Sequence, residues 1–272
     1  MKRRAAEENM TNMVINSIIA IREMHNLMGL KKIYYLLKPD GIGRNRFIEI
    51  GMEYGLGIDR IISYQRTTFS CKSHCFRNLT AGMVIRDINQ VWVSDITYFR
   101  VGERFYYLTF IEDVYSRRIL GYTAYRSLEA EANCISLKQA LRERKGMNLQ
   151  GLIHHSDKGT QYISNKYLRI LSENGISVSM CDSVYENTHI ERLNGIIKNE
   201  YLQHKRIETY EELQRELKKA IRLYNEERVH WSLACKTPVE YESSLERVPI
   251  SERNGLILYS EKPRSYIQER MF

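Results

Sequence analysis

The chain has 272 residues, 43% hydrophobic and 27% charged, enough for about two domains at roughly 150 residues each. It contains no run of ~20 apolar residues such as a membrane span needs. Its basic start, Met1-Lys2-Arg3-Arg4, leads into Ala-Ala-Glu-Glu rather than the apolar stretch of a secretory signal. Basic residues exceed acidic ones, 41 to 33, for a net charge of +8. The excess is concentrated in residues 1–90, which hold 14 basic and 8 acidic side chains. Such a local surplus is an electrostatic footprint for a polyanion such as nucleic acid. A membrane surface would serve equally by charge, but no lipidation motif is present.

In chain order, Val14, Ile18 and Ile21 form a partial helical stripe within residues 11–26. A second apolar-rich helix is expected from Leu30 to Leu37, ended by Pro39-Asp40-Gly41. A third, residues 44–54, starts with the cations Arg44 and Arg46. Short helices joined by a glycine-containing turn suit either a helix-turn-helix or a plain bundle with a basic face. Residues 60–90 are polar and read as a linker. The five cysteines (71, 75, 134, 181 and 235) are odd in number and scattered, which favours a reducing compartment over a disulfide framework. Cys71 and Cys75 flank His74, but no second ligand pair at zinc-finger spacing accompanies them.

The texture changes at Trp92. Residues 91–99, 104–114 and 117–126 are rich in β-branched and aromatic residues and predict three successive strands. A helix over 129–145, a strand over 151–156, a helix over 162–174 and a strand over 176–181 follow. Helices over about 189–203 and 209–226 complete the series. The order β-β-β-α-β-α-β-α-α suits an α/β fold of the ribonuclease H-like kind, a mixed five-stranded sheet with flanking helices, although fold alone does not give function.

Three acidic residues stand out within that order. Asp95 interrupts an apolar strand, where a charge is costly unless paired or metal-bound. Asp157 falls just past a strand end, where ligands gather in α/β sheets. Glu191 lies near a helix start. Converging, they would form the oxygen-rich cage that hard divalent cations prefer. Asp113, Asp182 and Glu186 are rivals on position alone. From Glu191, Asn194 and Lys198 follow at three and seven residues, so all three share one helix face at ~100° per residue. That stripe suits a phosphodiester, and equally a solvated face with favourable Glu-to-Lys spacing.

The motifs resemble one family. Val91-Trp92-Val93-Ser94-Asp95-Ile96-Thr97-Tyr98, Asp113-Val114-Tyr115-Ser116-Arg117-Arg118-Ile119-Leu120-Gly121, His154-His155-Ser156-Asp157-Lys158-Gly159-Thr160-Gln161-Tyr162, and Asn187 to Glu191 with Lys198 occur in the order found in catalytic (OrfB) transposases of the IS-three insertion sequences. The core of that family is similar to retroviral integrase. Tyr224-Asn225, Arg228, His230, Leu233, Thr237-Pro238 and Tyr241 resemble its C-terminal signature, and Gly29 to Leu56 its N-terminal DNA-binding segment. The chain departs at Glu186-Asn187-Thr188, where Asp-Asn-Ala is usual, and at Val229, where Pro is usual.

The resemblance implies a helical DNA-binding segment over 1–60, a linker over 61–90, a catalytic core over 91–205, and a C-terminal helix and tail over 206–272. It implies Asp95, Asp157 and Glu191 as metal-binding catalytic residues and makes Asp113 structural. Two magnesium ions, replaceable by manganese, would serve strand cleavage and strand transfer. Lys198, Asn194, His155, Lys158 and Gln161, with Arg44 and Arg46 of the helical segment, are the candidate DNA contacts. Expected partners are insertion-sequence ends, target DNA, an OrfA protein separate or fused, and further copies of the chain on DNA. The expected location is the bacterial cytoplasm, with the nucleoid. A transposase-derived DNA-binding protein without catalysis, or a simple metal-dependent endonuclease, are the competing expectations.

Overall fold

The computed structural model describes residues 2–58, 76–181 and 187–258. The Cys71–Cys75 cluster, Asp182, Glu186 and the end of the tail lie outside these residues. Helices α1 (Lys2–Met24), α2 (Leu30–Leu37) and α3 (Arg44–Glu53) come first. They close on Val14, Ile18, Met28, Ile33, Phe47 and Ile50, all buried. Gly51 has no room for a side chain, because an added Cβ would stand 2.8 Å from the Leu30 methyls. The first helix begins earlier than the apolar stripe indicated, and Glu7, Glu8 and Asn9, ahead of that stripe, are polar and exposed.

The sheet is built as its sequence dictates. Strands β2 (Val91–Val101), β3 (Arg104–Asp113) and β4 (Ile119–Tyr125) form an antiparallel meander. Strands β5 (Ile153–Ser156) and β6 (Ser177–Met180) then add in parallel on the other side of β2, giving the order β4-β3-β2-β5-β6. Helices α4 (Ala130–Glu143) and α5 (Asn165–Glu173) cover one face through Trp92, Ile111, Leu137, Tyr167 and Leu171. Helices α6 (Thr188–Ile196) and α7 (Tyr210–Glu226) cover the other through Val93, Phe110, Ile190, Leu193 and Leu217. Gly121 permits the close approach of α4, because a Cβ there would stand 2.0 Å from the Ser136 carbonyl oxygen.

Three helix starts carry side-chain caps. Ser164 accepts from the Tyr167 N–H, and Thr209 forms a reciprocal capping box with Glu212. Thr237 and Glu240 do the same for α8 (Pro238–Leu245), with Pro238 in its first turn. The C-terminal signature is largely structural. Asn225 pins α7 to the sheet edge by accepting from the Ile119 N–H and donating to the Ile119 carbonyl, both at 2.9 Å. Arg228 makes two 2.8 Å bonds to Glu200.

Two expectations are corrected. The helix expected over 189–203 is not uniformly α: residues Ile197–Leu202 form a π-helical continuation, with the Gln203 N–H reaching back five residues to the Lys198 carbonyl. The segment read as linker contains β1 (Val84–Ile85), which pairs antiparallel with β7 (Leu256–Ile257) of the tail. Ile85 is fully buried there, so this part of the segment is anchored.

Candidate active site

The sheet register brings the first two carboxylates together. Ser94 pairs with Ser156 where β2 and β5 run parallel. Asp95 and Asp157 each follow one residue later, so Asp95, in the middle of β2, stands beside Asp157, just past the carboxyl end of β5. Beneath them, Ser94 Oγ donates to the Phe110 carbonyl at 2.8 Å and lies 2.9 Å from the buried Tyr162 hydroxyl. Asp157 Oδ1 accepts the Gly159 N–H at 3.1 Å.

Helix α6 supplies the rest of its stripe from above. Asn194 Nδ2 donates to Asp95 Oδ2 at 2.7 Å. Lys198 Nζ donates to Thr97 Oγ1 at 2.9 Å and sits 5.4 Å from the centre of the Tyr98 ring. The α-helical periodicity therefore puts Asn194 on Asp95, and the wider turn beyond Ile196 still leaves Lys198 over the same strand. Glu191 is exposed at the start of this stripe.

Electrostatics ties the group into one unit. The Asp95 carboxyl is pushed up to about 8, first by burial, then by the charge of Asp157 and, more weakly, of Glu191. The Ile96 N–H and Asn194 oppose that shift. Burial also raises Asp157, against the Gly159 N–H, and it raises Glu191. Burial lowers the Lys198 ammonium, and Asp95 pulls it back up. This is an excess of negative charge held at one point. Asn194 Oδ1 is buried beside it without a hydrogen-bond partner. An all-oxygen donor set with surplus negative charge fits a hard divalent cation. Among the described residues, no three acidic, imidazole or thiol groups form a ready-made cage, so Glu191 stands outside the closely set pair.

The other expected site residues divide. Lys158 and Gln161 lie in the loop after Asp157, with the Gln161 amide donating to the Leu128 carbonyl at 3.3 Å. Arg44 and Arg46 are on α3, away from the carboxylates. Arg44 bonds Asn45, and Arg46 is engaged by Glu7, Glu49 and Glu53. His155 is corrected as a DNA contact. It is fully buried, with Nδ1 at 2.8 Å from Ser179 Oγ and Nε2 at 3.1 Å from Cys181 Sγ. A residue of a central strand covered on both faces has no access to a duplex. Asp113 accepts the backbone N–H groups of Asn89, Tyr115 and Ser116, and so shapes the β3–β4 turn. Sequence reasoning passed over Thr97 and Tyr162, although both stand within the motifs that flank the carboxylates.

A five-stranded mixed sheet with a carboxylate on its central strand paired with one just past the end of the next strand is the arrangement of an integrase-type catalytic core. Two models described as integrase core domain match residues 86–185 and 175–238. The transposase for insertion sequence element IS629 of Shigella sonnei is 29% identical over 227 residues, covering 82% of this chain and 76% of the relative. A transposase-like protein of Haemophilus influenzae is 32% identical over 200 residues, covering 68% of this chain and 91% of the relative. The simian T-cell lymphotropic virus intasome, solved with a PP2A regulatory subunit, shares the fold at a TM-score of 0.51 and 17% identity, over 86% of this chain and 76% of that one. The chain belongs to the insertion-sequence transposases with an integrase core, of the IS-three kind, and is a polynucleotidyl transferase of the DDE type.

Proposed function

We propose that Asp95, Asp157 and Glu191 are the catalytic carboxylates of metal-dependent DNA cleavage and strand transfer at insertion-sequence ends. The observation that carries this is the register: Ser94 opposite Ser156 sets Asp95 beside Asp157, and Glu191 is near enough for its charge to act on Asp95. The three would hold two magnesium ions, or manganese in their place, which when bound activate the attacking oxygen and stabilise the leaving one. Asn194 orients Asp95 through its amide. Lys198 offers a cation beside the carboxylates, where a backbone phosphate of the DNA end would lie. Lys158 and Gln161 extend that surface, and Arg44 and Arg46 give the N-terminal helices a duplex contact. Residues 1–60 serve as the DNA-binding segment, 91–205 as the catalytic core and 206–272 as its C-terminal completion. The assembly is a multimer on DNA, aided by an OrfA protein, in the bacterial cytoplasm with the nucleoid.

The test is cleavage and joining of the inverted repeats that flank the element, with magnesium and with partner protein supplied. Joined products from the parent and none from Glu191→Gln are expected. A variant equal to the parent would remove Glu191 from the site and bring Glu186 forward. Hydrolysis without joining would mark an endonuclease. Binding without cleavage by either protein would refute the catalytic reading.

A further inference from the structure

Helix α6 has a second working face. Arg192, His189 and Ile196 point about 100–160° around the helix from Glu191, into a cavity of about 210 Å³. Its walls come from four distant parts of the chain. Lys32 enters from α2, Glu112 and Arg117 from the end of β3 and the following turn, Arg192 from α6, and Arg228 and His230 from the end of α7. The N-terminal bundle is seated there by its own contacts. His25 Nδ1 lies 3.0 Å from the Tyr201 hydroxyl, and Lys31 Nζ is 4.4 Å from the centre of the Trp231 ring.

The charges of the cavity do not balance. Arg228 is matched by Glu200. Among the described residues, Lys32, Arg117 and Arg192 form no ion pair. The one acid of the lining, Glu112, is 1% exposed, and its Oε2 has no hydrogen-bond partner. Burial pushes that carboxyl up to about 8 against the pull of Arg117, which weakens it as a counter-ion at neutral pH. Burial, then Arg228, lowers Lys32 to about 8 and leaves it mostly charged at pH 7. His230 is driven to about 2 by burial and by Arg228, and is neutral. Three cations around a small cavity repel one another unless an anion sits between them. Arg117 Nη1 is already engaged by His189 Nδ1, so the donors on the lining are the rest of that fork, the Arg192 guanidinium and the Lys32 ammonium, a set that suits a tetrahedral oxyanion better than a planar carboxylate.

We propose that this cavity is a phosphate-binding site, distinct from the carboxylate site and on the reverse face of the helix that carries Glu191. The phosphate is that of a DNA backbone or a free phosphate. Only the DNA alternative rests on the transposase reading. Lys32 belongs to the N-terminal bundle and Arg192 to the catalytic helix, so an occupant ties the two together.

The experiment is calorimetric titration of the full chain, free of divalent metal, with inorganic phosphate and with pyrophosphate. It compares the parent with Lys32→Gln/Arg192→Gln and with Arg192→Gln alone. These side chains are half-buried and exposed, so an unchanged urea midpoint without ligand serves as the folding control. Phosphate affinity is expected to fall by roughly tenfold or more in the double variant, in line with loss of charge-assisted bonds. In parallel, binding to a short duplex is followed against salt. A fall of about 0.9 in the log–log slope of the double variant assigns the site to a backbone phosphate. An unchanged slope with phosphate affinity lost assigns it to a free phosphate. Equal phosphate binding, or its absence, in both parent and double variant overturns the proposal. Asp157→Asn separates the two readings, since it abolishes strand transfer and is expected to keep phosphate affinity.

Discussion

Replacing Asp95 by Asn should stabilise the metal-free protein. An aspartate ordinarily titrates near 3.8, and burial, then the charge of Asp157, pushes Asp95 up to about 8 in the folded chain. A raised carboxyl costs nothing below the lower value, costs progressively more as pH climbs between the two, and costs a constant amount above the upper one. Each pH unit in that interval is worth about 1.4 kcal/mol. At pH 7 about three units have been crossed, for a ceiling of ~4 kcal/mol. Asp95 is only half-buried and shares its repulsion with Asp157, so about 2 kcal/mol is the expected gain. Asparagine keeps the shape and can still accept from the Asn194 amide. The assay is urea unfolding in chelator at pH 4.5 and pH 7. Asp95→Asn is expected to exceed the parent by about 0.5 kcal/mol at the lower pH and by about 2 kcal/mol at the higher. Magnesium should then stabilise the parent and leave the variant almost unmoved, because a bound cation is what favours the ionised pair. A variant no more stable than the parent at pH 7 would refute the view that the site holds unbalanced charge.

Three further outcomes are expected. Glu242→Ala strands Arg144, which is fully buried and holds Glu242 through both guanidinium nitrogens, one at 2.8 Å, with Asp113 only at 3.8 Å. A loss of ~3–5 kcal/mol in chemical denaturation is expected, and a loss below ~1 kcal/mol would show that the cation relaxes to water. Gly121→Ala drives a methyl into the Ser136 carbonyl of α4 and should cost about 3 kcal/mol; a thermal midpoint equal to the parent's would contradict the close approach. Lys198→Ala should leave folding intact, lower the salt slope of end-DNA binding by about 0.9 and depress joining; an unchanged slope would place the DNA phosphate elsewhere.

The pairing of Asp95 with Asp157 was legible because each acid sits in a short motif of distinctive residues. An Asp amid Val, Trp, Ile and Tyr stands out in any strand. Much of the remaining motif has a structural cause that only the packed chain reveals. Gly121 is there for the approach of α4, Asp113 for three turn N–H groups, Asn225 for the edge of β4, and Thr237-Pro238 for a helix start. His155 misled because adjacency to Asp157 in sequence is not adjacency on a surface. Two residues apart, they share a face by strand alternation, but His155 lies inside β5, covered on both faces, and Asp157 lies just past its end. The π-helical stretch after Ile196 has no compositional mark, since it changes the hydrogen-bond register and not the residue types. The pairing of residues 84–85 with 256–257 spans most of the chain, beyond the reach of local periodicity.

Helix α6 shows why a motif need not be exhausted by the one residue proposed for catalysis. Its 3.6-residue repeat delivers Glu191 and Asn194 to the carboxylate site with Lys198 just beyond, Ile190 and Leu193 to the core, and Arg192 to the cavity shared with Lys32. A rigid helix cannot shift one of these faces alone. Any force on Arg192 from an anion held by the N-terminal bundle is therefore also a force on the position of Glu191. Glu191 is the exposed member of the three, the one held least by the sheet, and so the one whose placement such a contact would most affect. Coupling of this kind requires that the two helix positions differ in affinity for the anion. A duplex that engages the bundle and the core together would meet that condition, because only the seated arrangement brings Lys32 and Arg192 around the same phosphate.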